Sequence, residues 1–222
     1  MKDKCAIVDI CGTLYASNTT FDFLDFYFSN NDRYRRFSRI RRSDLWRVFN
    51  KLIWIFFGMD LTRKIAIQFL KGEPMDRIQN AVKCFVTNIL EMKKHGAVFE
   101  LINSLCKDEF RIVVTSATLD VIAREVSSRL NVDECYATEL CFDSKGTCLG
   151  KIAHDLLGCK KEYLEANGIT PPFNAVITDD FSDIELIKNS DRSYIVCNDR
   201  SIQKWESRKN KLGILNIKWI CI

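Results

Sequence analysis

The sequence predicts an α/β fold, a three-layer Rossmann-like core built on a parallel sheet with an inserted all-helical cap. Short apolar, β-prone runs alternate with stretches of helical periodicity. A long helical block separates the first of these runs from the second. Three of the runs end in reactive polar residues: Asp9, Thr115 with Ser116, and Asp179. Strands that are apolar throughout belong to parallel sheets covered on both faces, and such sheets bind ligands beyond the carboxyl ends of their strands.

The first strand spans residues 4–10 and runs into Asp9-Ile10-Cys11-Gly12-Thr13, where glycine supplies the turn. Residues 20–90 are helical in pattern. Within them Leu45, Val48, Phe49, Leu52, Ile53, Phe56 and Phe57 repeat at helical spacing and form one continuous apolar face. Asn18-Thr19-Thr20 matches a glycosylation acceptor but reads more simply as the N-cap region of the first cap helix. A helix over residues 95–106 precedes the strand Phe110-Arg111-Ile112-Val113-Val114, which ends at Thr115-Ser116-Ala117-Thr118.

Residues 120–130 are again helical, and residues 135–150 read as a strand followed by a hairpin turning at Asp143-Ser144-Lys145-Gly146. A helix over residues 160–167 is closed by Gly168, and Pro171-Pro172 bars its continuation. Ala175-Val176-Ile177-Thr178 is a further buried strand, ending at Asp179-Asp180-Phe181-Ser182-Asp183, and residues 193–197 are expected to be the last strand. The chain thus divides into a discontinuous core, residues 1–16 and 92–222, and a cap, residues 17–91.

Composition narrows the function classes. With 222 residues, 47% of them hydrophobic, the chain can bury a substantial core. The opening residues lack the apolar run of a signal peptide, and the ten cysteines are scattered, with Cys5 and Cys197 inside strands. The expectation is a cytoplasmic protein with reduced thiols. No Cys-x-x-Cys pair occurs and His95 and His154 are far apart, which argues against tetrahedral zinc and leaves a hard, oxygen-bound metal.

The net charge of +4 is unevenly spread: residues 21–75 hold 11 Lys/Arg against 6 Asp/Glu. Arg33, Arg35, Arg36, Arg39, Arg41, Arg42 and Arg47 lie among Tyr34, Phe37 and Trp46. A solvated helical face is the default reading. The alternatives are steering of an anionic substrate and docking on anionic lipid, the latter because Trp46, Trp54 and Ile55 lie off the main apolar face. Nucleic-acid binding is not expected without a recognised binding module, and no feature calls for an obligate protein partner. Arg47, Asn50 and Lys51 interrupt a stretch already short of the roughly 20 apolar residues of a membrane span.

A lone Asp before Gly-Thr caps a turn as readily as it attacks a substrate. Its companions at the other strand ends shift the balance. A carboxylate, a hydroxyl, a lysine opening a later helix and two further carboxylates make up a phosphate site. The first carboxylate attacks phosphorus, a metal offsets charge repulsion, and the lysine and hydroxyl hold equatorial oxygens.

At these residues the chain resembles the haloacid-dehalogenase-like superfamily, in its phosphoserine-phosphatase-like branch with a helical cap inserted after the first motif. Val8-Asp9-Ile10-Cys11-Gly12-Thr13-Leu14 is similar to the nucleophile motif, Ile112-Val113-Val114-Thr115-Ser116-Ala117-Thr118 to the second, and Ile177-Thr178-Asp179-Asp180-Phe181-Ser182-Asp183 to the metal motif. The resemblance implies Asp9 as nucleophile and magnesium ligand, the backbone carbonyl of Cys11 and the Asp179 carboxylate as further ligands, and Asp183 behind them orienting the metal shell. It implies Ser116 rather than Thr115 as phosphate contact. Of Lys160 and Lys161, Lys160 is preferred as the motif lysine because Leu164 follows at i+4.

One departure stands out. Phosphatases of the family carry an aspartate two residues after the nucleophile, as acid and then base, where this chain has Cys11. An ordinary thiol, with a pKa of about 8.5, is a poor substitute. Relatives without this aspartate include dehalogenases and phosphonate hydrolases. A metal-free dehalogenase would leave Asp179, Asp180 and Asp183 as an unexplained cluster of repelling carboxylates, so retained magnesium is favoured. Cys11 can then be a packing residue in the loop, with the leaving-group proton supplied by substrate, water or a cap residue.

The expected activity is that of a magnesium-dependent hydrolase or phosphotransferase acting on a small phosphorylated metabolite through an aspartyl-phosphate at Asp9. One alternative is a phospho-ligand binding module impaired by Cys11. The other is a peripheral membrane lipid-phosphate phosphatase.

Overall fold

A computed structural model describes residues 4–222 except Asp133 and Leu215. Strands β1 (Cys5–Val8), β2 (Arg111–Leu119), β3 (Cys135–Phe142), β4 (Cys148–His154), β5 (Ala175–Thr178), β6 (Ser193–Cys197) and β7 (Ile217–Cys221) form one sheet in the order β4-β3-β2-β1-β5-β6-β7. Every neighbouring pair is parallel except β3 with β4, the hairpin. The mostly parallel sheet and its helices are the α/β, Rossmann-like fold. The strand at residues 193–197 is not the last, because β7 extends the sheet along the free side of β6. Its residues are only partly buried and so lack the continuous apolar run that marks the central strands.

Between β1 and β2 the chain inserts α1 (Thr19–Tyr27), α2 (Asp32–Arg41), α3 (Asp44–Phe57), α4 (Leu61–Gln68) and α5 (Met75–Phe85). Five helices form where the pattern suggests one block, because polar caps start four of them: Asn18, Asn31, Ser43 and Asp60 accept from the backbone N–H of Phe21, Tyr34, Trp46 and Arg63, while α5 follows Pro74 without a side-chain cap. Gly58, at φ 61°, closes α3 in the left-handed conformation. Helix α6 (Gly96–Lys107) leads from the insertion into β2, and α7 (Asp120–Arg129), α8 (Lys160–Ala166), α9 (Ile184–Lys188) and α10 (Asp199–Leu212) connect the remaining strands.

Side-chain alternation along the strands divides the core in two. Ala6, Val8, Ile112, Val114 and Ile177 face a large cluster continued by Phe23, Leu24, Ile67 and Phe85 of the insertion. Cys5, Ile7, Val113, Val176 and Ile195 face the opposite cluster, completed by Leu164, Leu186 and Trp205. The inserted helices therefore share an apolar core with one face of the sheet.

Helix α3 is the exception. It has no buried residue, and Leu45, Phe56 and Phe57 are 87%, 74% and 70% exposed. Its polar side faces the protein: Trp46 Nε1 donates to Thr62 Oγ1 at 2.8 Å, and Asn50 bonds Asp60 Oδ1 at 3.1 Å and the Thr62 N–H at 3.0 Å. The continuous apolar face forms, but it points outward. Trp46, off the main apolar face, is tied down on the side that meets the protein. Among the described residues no helix is long and apolar enough to cross a membrane.

Candidate active site

The sheet's topology sets the geometry of the site. β1 leads to β2 and β3 on one side and is flanked by β5, β6 and β7 on the other, so the direction of winding changes between β1 and β5. Val8 is in register with both Val114 and Ile177. The next residues, Asp9, Thr115 and Thr178, therefore emerge together in the crevice of that switch point. The Asp9 N–H donates to Ile177 O at 3.0 Å and fixes the start of the loop.

Gly12 then brings the loop against the end of β5. Its φ is +78°, and a Cβ there would lie 2.2 Å from Asp179 Oδ2, so only glycine permits this approach. Thr13 joins the two loops: its hydroxyl donates to Asp179 Oδ1 at 2.8 Å and accepts from the Asp179 N–H at 2.9 Å. It also lies 3.4 Å from Asp9 Oδ2.

Lys160, the first residue of α8, reaches into the same crevice. Its Nζ donates to Asp9 Oδ1 at 2.7 Å and to Asp183 Oδ2 at 2.8 Å, with all three side chains buried. Burial works against the ammonium, but the two carboxylates outweigh it and hold Lys160 charged, above the ordinary lysine range. For Asp9, burial raises the pKa while Lys160 opposes the rise by charge. Lys161 turns away and pairs with Glu165 at 3.1 Å along its own helix.

Asp183 also accepts from Thr178 Oγ1 at 2.7 Å, shares the Lys160 ammonium with Asp9, and by its own charge raises the Asp9 pKa. Ser116 is buried beside Asp9, where its hydrogen bonding favours the carboxylate form, and its Oγ accepts from the Thr118 N–H at 3.3 Å. Thr115 is equally buried, but its hydroxyl has no hydrogen-bond partner among the described residues. Asp180 caps the turn that follows, accepting from the Ser182 N–H at 2.8 Å.

Asp179 is pushed up to about 7, first by burial and then by the charge of Asp9. The buried Asp9 and the half-buried Asp179 face one crevice, and their donors are hard oxygens of the kind that suits magnesium. Among the described residues no group of three His, Cys, Asp or Glu side chains converges as a metal cage. Asp9 and Asp179 with a backbone carbonyl fit the habit of magnesium, which takes one or two carboxylates and fills its remaining positions from water and phosphate.

Cys11 lies at the loop's edge, where its Sγ donates to Ser17 O at 3.1 Å. Burial, and then the charge of Asp9, push its thiol up to about 12, so it stays protonated and parts with its proton reluctantly.

Sequence patterns gave no role to Thr13, Thr178 or Arg63. Arg63 of α4 is buried at the junction of insertion and core, where Nη1 pairs with Asp155 Oδ1 at 2.6 Å and Nη2 donates to Ala117 O, next to Ser116. A charged residue on an amphipathic helix ordinarily signals solvent. Its proximity to Pro-free, loop-borne Asp155 has no local signature. A cleft of about 500 Å³ lies between α3 and the Asp180 turn, lined by Phe21, Arg41, Trp46, Asn50, Asp180 and Ser182.

The α/β sheet has carboxylates at two adjacent strand ends, a buried lysine that pairs Asp9 with Asp183, and a helical insertion after the first strand. The chain belongs to the haloacid dehalogenase-like hydrolase family, whose pattern it matches over residues 6–188. Comparison with curated protein sequences finds no match.

Among solved structures it is similar to a protein of unknown function from Bordetella pertussis Tohama I, with 13% identity, 98% of this chain and 99% of that one covered, and a TM-score of 0.77. A phospho-aspartyl intermediate analogue of phosphoserine phosphatase matches with 15% identity, 100% and 94% covered, and a TM-score of 0.58. Cytosolic 5'-nucleotidase IIIB bound to cytidine matches with 12% identity, 97% and 79% covered, and a TM-score of 0.57. At these identities the likeness establishes the fold.

Proposed function

We propose that the protein is a magnesium-dependent phosphatase or phosphotransferase that acts on a small phosphorylated metabolite through an aspartyl-phosphate at Asp9, in a cytoplasmic setting. The observation that carries the reading is the buried Asp9, held at one oxygen by Lys160 and facing Asp179 across Thr13. Lys160 pins Oδ1 and leaves Oδ2 as the attacking atom. The fixed ammonium also offers positive charge to a transferring phosphoryl group, and Ser116 offers a hydroxyl to one of its oxygens. Magnesium, held by Asp9, Asp179 and the Cys11 carbonyl, would offset repulsion between the carboxylate and the phosphate.

Turnover of a phosphomonoester panel, with and without magnesium, tests this reading. The expected result is magnesium-dependent release of phosphate that Asp9→Asn abolishes; release that survives Asp9→Asn overturns it.

A second reading is favoured by Cys11. With its proton held so tightly, it is poorly placed to protonate a leaving group, and the protein would bind a phosphorylated ligand with little turnover. Tight phosphate binding without turnover in the wild type, together with turnover in Cys11→Asp, would favour this second reading.

A further inference from the structure

We infer that the outward face of α3, together with the basic residues of α2 beside it, docks on an anionic lipid bilayer. The inference does not depend on the chemistry at Asp9. In a helix packed on a protein, the apolar stripe faces inward and the polar residues face water. Here the order is inverted. Asn50 and the Trp46 N–H bond α4 and its cap, while Leu45, Val48, Phe49, Leu52, Phe56 and Phe57 face out, each at least 47% exposed. An exposed apolar patch of this kind on a folded protein marks an interaction surface.

The shape of the patch suits a membrane surface. Fourteen residues of α-helix span about 21 Å, short of the roughly 30 Å hydrocarbon core, so the helix lies in the interface and does not cross. Trp54, 40% exposed, adds a residue that favours that depth.

The surrounding charge selects the partner. Residues 32–57 hold 8 Lys/Arg against 2 Asp/Glu, a net +6 in a chain whose total is +4. Arg33, Arg36, Arg39 and Lys51 are exposed and, among the described residues, form no ion pair. A second copy of the chain would bring two basic surfaces together, whereas an anionic bilayer complements them. The cleft lined by Trp46 and Asn50 opens beside this same helix, so a docked protein holds it close to the lipid.

Flotation of the full chain with vesicles tests the inference. Phosphatidylcholine mixed with phosphatidylglycerol is compared with phosphatidylcholine alone, at low and at physiological salt. The wild type should bind the mixed vesicles at least about tenfold better, lose affinity as salt rises, and shift its tryptophan emission to the blue. The double variant Phe56→Gln, Phe57→Gln should weaken binding at least about tenfold while its thermal transition stays put, because both side chains are already in solvent. Absence of binding to the mixed vesicles at low salt overturns the inference, as does binding that the double variant leaves unchanged. Light scattering that shows a dimer dissolved by the same variant, with no vesicle binding, assigns the face to a second copy.

Discussion

Lys160 Nζ lies 2.7 Å from Asp9 Oδ1, and a second contact of 2.8 Å to Asp183 makes it the shared counter-charge of two buried carboxylates. Removing it should be costly in a way that its neighbour's removal is not. Lys160→Met leaves two buried, uncompensated carboxylates, and denaturant unfolding should show a loss of about 3–5 kcal/mol. Lys161→Ala gives up only a helix-surface pair with Glu165, and the same measurement should move by about 0.5 kcal/mol or less. Equal losses in the two variants would contradict the site as described.

Gly12→Ala should separate folding from metal binding. The added Cβ collides with Asp179 and the residue must hold a positive φ, so a stability cost of about 1–3 kcal/mol is expected. The larger effect is displacement of the Asp179 carboxylate. Thermal melts should show magnesium stabilising the wild type and not the variant, and an equal magnesium response in both would argue against Asp179 as a ligand.

Cys11 makes a sharper prediction about chemistry. A thiol held near 12 contributes little proton transfer, so Cys11→Ser should leave kcat within about threefold of wild type. Cys11→Asp supplies a carboxyl group and should raise kcat by about a hundredfold, the lower end of general acid–base effects. If steady-state kinetics show Cys11→Ser inactive, the thiol has a direct role that its protonated state does not suggest.

Asp25 ties α1 to α2, accepting from Arg41 at 2.6 Å, Arg42 at 2.7 Å, and Tyr34 and Ser38 each at 3.0 Å. Burial raises its pKa, but the hydrogen bond and charge of Arg41, joined by Tyr34 and Ser38, more than offset that and hold it below the ordinary carboxylate value. A lowered folded-state pKa stabilises the protein at pH above the unfolded value, about 3.9, and the benefit fades as pH falls through the folded value. Asp25→Asn should therefore cost about 2 kcal/mol near neutrality, the scale of one charge-assisted hydrogen bond. In urea melts across acid pH, the gap between wild type and variant should narrow below pH ~4; a gap that widens there would show that Asp25 is not the stabilising anion.

The central strands, the insertion between β1 and β2, and the strand ends bearing Asp9, Ser116 and Asp179 were legible in the chain, because apolar runs and turn residues report local burial directly. Strand β7 was not, since a half-buried edge strand has no such run. Nor were Thr13 and Arg63, whose roles come from partners 166 and 92 residues away.

Apolar runs, turn residues and helical spacing thus place the alternation of elements, the reactive strand ends and the apolar face of α3. Long-range packing brings Lys160 and not Lys161 to Asp9, sets Asp183 on the same ammonium, and turns the α3 face outward. Periodicity fixes which residues share a side of an element, but which way that side turns depends on the long-range packing of the elements around it.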